Sequence, residues 1–167
     1  LTTANGSEGR NVAVGYAALA AQDGDGDAYN AAVGFEAGTA MTTGVQNTLI
    51  GGLAGDALTT GSYNVAIGYE TLSTEDAYGR NIAIGYAALN VLNADADAYN
   101  VAIGHSAGAA MTTGVNSVLI GGLAGDALTT GSYNVAIGHQ ALSTEDEYGG
   151  NVAIGYQSLT VQNAGAE

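Results

Sequence analysis

The chain has 167 residues, with 27 Gly, no Pro, Cys or Trp, and only two basic residues, Arg10 and Arg80, against 16 Asp and Glu. A formal net charge of −14 argues against nucleic acid and anionic membrane surfaces as partners, since both need clustered Lys or Arg. Without Cys there are no disulfides, thiolate metal sites or cysteine nucleophile. No apolar run approaches the roughly 20 residues of a spanning helix, so direct membrane insertion is not expected.

The first phrase, Asn11-Val12-Ala13-Val14-Gly15, sets the pattern for the whole chain. Its glycine recurs as Gly34, Gly51, Gly68, Gly85, Gly104, Gly121, Gly138 and Gly155, at spacings of 19, 17, 17, 17, 19, 17, 17 and 17. A 70-residue unit therefore occurs at 11–80 and again at 81–150, with a third begun at 151, and the whole of 1–167 reads as one array. Between 41–76 and 111–146, 30 of 36 positions are identical, which marks a duplication.

After the first phrase comes Ala17-Ala18-Leu19-Ala20-Ala21, which has helical propensity. A Gly or Asn every few residues nevertheless leaves no room for a packed helix. The next phrases are clearest at Asn64-Val65-Ala66-Ile67-Gly68, where β-branched residues alternate with a small one, the period of a strand. Segments such as Ala57-Leu58-Thr59-Thr60-Gly61-Ser62-Tyr63 bring a turn and lead into the next strand. The expected fold is all-β, a parallel β-solenoid or β-roll of about nine coils of 17–19 residues. Coils about 4.8 Å apart would make a rod roughly 43 Å long.

In this reading Val and Ile stack as the apolar face. Ala13, Ala32, Ala66, Ala83, Ala102, Ala136 and Ala153 form a smooth outward stripe that lets another chain come close. Asn11, Asn30, Asn47, Asn64, Asn81, Asn100, Asn134 and Asn151 form a ladder, using the tolerance of Asn for left-handed turns. Ser117 takes the Asn place in the seventh coil, where a local distortion is expected.

The phrases Asn-Val-Ala-Ile-Gly-Tyr at 64–69 and 151–156 and Asn-Ile-Ala-Ile-Gly-Tyr at 81–86 resemble the head repeats of trimeric autotransporter adhesins, the YadA-like heads. Runs ending Gly-Tyr-x-x-Leu, as in Gly85-Tyr86-Ala87-Ala88-Leu89, are similar to bacteriophage tail-fibre and tail-spike repeats. The resemblance implies a left-handed parallel β-roll, a homotrimer and a role in attaching a cell or virion to a surface glycan or protein. It also implies an extracellular location, at the cell surface or on a tail fibre. That family's neck, coiled-coil stalk and membrane anchor have no counterpart here, so the chain reads as a head or shaft segment.

Several residue groups suggest sites. Asp23, Asp25 and Asp27 in one 19-residue coil, and Asn93, Asp95 and Asp97 in the other, place hard oxygens along a loop, as Ca²⁺ requires. The spacing fails the EF-hand pattern, and a solvated acidic loop is the plainer alternative. Glu75-Asp76 and Glu145-Asp146-Glu147 read as a solubilising rim rather than a general acid/base pair. His105 and His139 follow the signature glycine, where Tyr16, Phe35, Tyr69, Tyr86 and Tyr156 stand in other coils, and so read as members of a stacking column. Tyr29, Tyr63, Tyr99 and Tyr133 each precede a ladder position and suit sugar binding or plain stacking.

The expected function is a non-enzymatic fibrous attachment segment, an adhesin head or a tail-fibre shaft. The alternatives are a calcium-stabilised, ice-binding or sugar-binding solenoid module. A β-helix enzyme is disfavoured: 17 is not a multiple of the hexapeptide period, and two Arg are too few for a polysaccharide lyase.

Overall fold

The structure, a computed structural model, describes residues 10–23, 27–75, 77–144 and 147–160. Among them are nine three-residue strands and no helix. β1 is Val12–Val14, β2 Ala31–Val33, β3 Thr48–Ile50, β4 Val65–Ile67, β5 Ile82–Ile84, β6 Val101–Ile103, β7 Val118–Ile120, β8 Val135–Ile137 and β9 Val152–Ile154. They form one parallel sheet in sequence order, with equivalent residues of each phrase opposite one another, as in Val65↔Ile82, Ala66↔Ala83 and Ile67↔Ile84. The chain is a β-solenoid, and each phrase is one rung. The Ala17–Ala21 segment forms turns, as its flanking punctuation requires.

The faces are the reverse of the sequence expectation. Ala32, Ala66, Ala83, Ala102 and Ala136 are wholly buried, whereas Val12, Val14, Ile50, Ile82, Val152 and Ile154 are exposed. The other β-branched residues of the strands from Val65 to Ile137 are mostly half-buried, flanked by their stacked neighbours. The reason is the size of the coil. Only the central residue of a three-residue strand points inward, and the interior is already filled by Leu19, Met41, Leu58, Leu72, Leu89, Leu92, Met111, Leu128 and Leu142 from the turns. A methyl group is what fits. The Ala column is core, and among the described residues there is no outward Ala stripe.

Two strands carry Leu at that centre, Leu49 in β3 and Leu119 in β7. The turn positions beside them are glycine. A Cβ on Gly38 or Gly55 would press on Leu49, and one on Gly108 or Gly125 on Leu119. Volume is exchanged between strand and turn, keeping the interior full.

The signature glycine ends each strand at φ between +126° and +149°, a region essentially closed to side chains. A Cβ on Gly68 would also overlap the carbonyl of Gly85 one coil on. Conformation and close backbone approach both demand glycine here.

Three further columns are left-handed without being uniformly glycine. They are the second residue after the signature glycine (Ala17, Glu36, Leu53, Glu70), the fourth (Leu19, Gly38, Gly55, Leu72) and the residue before the ladder (Tyr29, Gln46, Tyr63, Arg80). Each non-Gly residue so held costs about 1–2 kcal/mol. The return is an aimed N–H: Glu70 N donates to Gly52 O in the coil before, Leu72 N to Ala88 O in the coil after, and Tyr63 N to Val45 O. Alternating backbone handedness thus lets irregular turns hydrogen-bond between coils as the strands do.

The ladder residues themselves are not left-handed; from Asn30 to Asn151 the residue ahead of each one takes that conformation. A ladder Asn uses its side chain instead. Asn47 Oδ1 accepts Asn64 N at 2.9 Å and Asn64 Oδ1 accepts Asn81 N at 3.0 Å, while Asn47 Nδ2 donates to Gly61 O at 2.9 Å. Ser117 continues the chain without distortion: its N–H donates to Asn100 Oδ1 at 2.9 Å and its Oγ accepts Asn134 N at 3.1 Å. The register through β7 is unbroken.

Candidate functional site

Two long surfaces stand out. Beside the outward Val/Ile face runs the aromatic column that follows the signature glycines. Tyr16 stacks on Phe35 with centroids 5.4 Å apart, Tyr69 on Tyr86 at 6.0 Å, Tyr86 on His105 at 5.1 Å and His139 on Tyr156 at 5.9 Å. Both histidines are stacking members, as the sequence suggests. Gly52 and Gly122 interrupt the column, and a Cβ on either would touch the Tyr69 or His139 ring.

The second surface is the column ahead of the ladder. Its residues, in coil order, are Arg10, Tyr29, Gln46, Tyr63, Arg80, Tyr99, Asn116, Tyr133 and Gly150. Tyrosine occupies every even coil, and all four tyrosines are exposed. Arg80 lies between two of them, its guanidinium carbon 4.7 Å from the Tyr63 centroid and 5.6 Å from that of Tyr99. Its Nε donates to Asp97 Oδ2 at 2.7 Å, and Gly79 N donates to Asp97 Oδ1 at 3.2 Å. Arg10 repeats the arrangement, with its Nε 3.2 Å from Asp27 Oδ1 and its carbon 5.4 Å from the Tyr29 centroid. Tyr29 Oη donates to Asp27 at 3.1 Å.

Sequence reasoning missed these clusters. Arg10 and Asp27, like Arg80 and Asp97, lie 17 residues apart, two short of the 19-residue coil that each pair spans, so the two inserted residues bring each aspartate back beside its arginine. Of the residues singled out for calcium, Asp27 and Asp97 each engage an arginine. Asp23, Asp95 and Asn93 are exposed, and Asp25 lies outside the described residues. Among the described residues no three His, Cys, Asp or Glu side chains converge as a metal-binding group.

The inserted residues of the second 19-residue coil leave a trace in the ladder. Asn30, Asn47 and Asn100 each donate Nδ2 to a carbonyl 14 residues on, but Asn81 Nδ2 is buried with no partner. The residue 14 on from Asn81 is Asp95, in the longer loop.

Glu75 is not part of a rim. It is fully buried, in the column filled elsewhere by Met41, Leu58 and Leu92. Its carboxylate accepts Tyr78 N at 3.2 Å and Ala94 N at 3.3 Å. Gln22 fills the same place in the first coil, donating to Thr42 O at 2.7 Å and accepting from Asn30 Nδ2 at 2.9 Å. The polar core residues thus hold the turn backbone. Asp76, Glu145 and Asp146 lie outside the described residues, and Glu147 is exposed.

Asp56 and Asp126 share one turn position, each with a buried Oδ1 that has no partner. Burial pushes the Asp56 carboxyl above its ordinary range, and the charges of Glu36 and Glu70 push the same way. Burial raises Asp126 as well, opposed by its own backbone hydrogen bond and by His139.

Comparison with family models, curated proteins and solved structures returned no match.

Proposed function

We propose that this chain is a non-enzymatic fibrous attachment segment that works as a homotrimer, displayed outside a cell or on a virion fibre. The observation that carries the reading is the outward sheet face. From β1 to β9 it presents Val and Ile columns, interrupted only at Ala31 and Thr48, with an aromatic column alongside, over a length of about 38 Å for eight coil steps. Contiguous apolar surface on this scale marks an interaction site. A second and third copy of the same face is the natural cover, because like strips of equal length bury each other without leaving polar groups unpaired. The loops and the tyrosine column then remain outside to meet a surface glycan or protein.

Sedimentation equilibrium tests the assembly. The expected mass is three times the 16.4 kDa of one chain. Ile67→Lys together with Ile137→Lys, at equivalent points of the two duplicated units, should shift it to one. A wild-type monomer at micromolar concentration overturns the trimer. Attachment is tested by binding of the labelled chain to glycan- and matrix-coated surfaces, where saturable binding is expected and none would refute the role.

A further inference from the structure

We infer that the slot between Tyr99 and Tyr133, floored by Asn116, binds the guanidinium group of an arginine presented by a partner protein. The chain supplies its own template. One slot earlier in the same column Arg80 lies between Tyr63 and Tyr99, 4.7 and 5.6 Å from the two centroids, so tyrosines two coils apart leave room for one planar cation. Tyr99 and Tyr133 repeat that two-coil separation. The backbone continues in register: Asn116 N donates to Ala98 O at 2.7 Å and Tyr133 N to Val115 O at 2.9 Å.

What differs is the middle residue. Asn116 is exposed and has a single methylene before its amide, so it forms the floor of the slot instead of filling it. Its amide oxygen can accept an N–H from an incoming guanidinium. Tyr133 is 67% exposed against 45% for its counterpart Tyr63, with Asn116 and Gly150 on its two sides in the column where Tyr63 has Gln46 and Arg80. Arg80 on the far face of Tyr99 is no obstacle, because Asp97 neutralises it at 2.7 Å.

Charge selects the occupant. The chain carries −14 and only two arginines, both committed to their own aspartates. A cation for this slot therefore has to come from another molecule. The planar guanidinium is preferred over an ammonium because it stacks flat between two rings. The inference deepens the attachment reading, which turns the tyrosine column toward a partner surface, and it is tested apart from the trimer, which rests on the sheet face.

The test is an NMR titration of the full chain with a short peptide bearing one arginine, alongside the same peptide bearing lysine or citrulline. Saturable shifts at the Tyr99 and Tyr133 rings are expected, weaker by about fivefold or more with citrulline and intermediate with lysine. Asn116→Arg, which fills the slot with an internal guanidinium, should abolish them, and Tyr133→Leu should do the same. Both replacements already occur at left-handed positions of this chain, as Arg80 and Leu72 show. Equal response to lysine and arginine, shifts spread equally over Tyr29 and Tyr63, persistence of binding in both variants, or no saturable shift would each overturn the site. Loss of the trimer alone would not.

Discussion

At the residue scale the ladder position carries the most concentrated demand. Asn64 is wholly buried and its Oδ1 is the acceptor for Asn81 N. Asn64→Ala leaves that donor orphaned, which costs about 1–3 kcal/mol in urea unfolding. Asn64→Ser should cost clearly less, because Ser117 already does the same work with a hydroxyl at 3.1 Å. Asp56 and Asp126 make the opposite kind of prediction. Their carboxyls are raised in the folded state, with burial as the largest cause, so the folded chain binds these protons more tightly than the unfolded one. Their contribution is most favourable at or below the ordinary value of 3.8 and is lost as pH rises through the folded value. Replacing both by Asn should therefore stabilise the chain at neutral pH and flatten its stability profile just above that range, as thermal melts from pH 3 to 7 would show.

At the element scale, each strand is specified jointly with its neighbouring turns. Leu49 at the centre of β3 is wholly buried and is accommodated by Gly38 and Gly55. Leu49→Ala should cost about 3–5 kcal/mol, because neither glycine can fill the space. In the fourth coil the strand centre is Ala66, and Leu72 occupies the place equivalent to Gly55. Ala66→Leu should therefore destabilise by overpacking, about 1–3 kcal/mol. Denaturant midpoints of the two variants check both signs. The strand signature was legible from the alternation in Asn-Val-Ala-Ile-Gly, but which side faced inward was not. Alternation fixes that two faces differ; it does not say which one the turns will cover. Four αL or otherwise left-handed positions per coil were also hidden, since Leu, Glu and Tyr do not advertise such a conformation.

At the scale of the whole molecule, the 70-residue period is structural as well as sequential. Deleting 81–150 joins residue 80 to residue 151, whose phrase repeats that at 81. Four coils are lost without a change of register. Stability in such arrays is close to a sum of repeat and neighbour terms, so the five-coil chain should unfold cooperatively with a smaller denaturant slope and a lower midpoint. Circular dichroism with urea would measure both; a chain that no longer folds would mean the coils are not equivalent. The stacked aromatics fared well as a sequence expectation, because a column needs only the coil length. The arginine clusters were not legible in that way, because each aspartate lies two residues short of a full 19-residue coil from its arginine.

The sequence by itself determined the coil length, the stacking order and the identity of the rungs, because a repeat that cannot bury its own apolar face has to be covered by its copies. The tertiary structure alone decided which face is inside, since that depends on how much volume the leucines of the turns leave at the strand centre. It also decided that Glu75 is buried and that the two arginines belong to Asp27 and Asp97. Those outcomes turn on distances between coils, which become fixed only when one rung rests on the next.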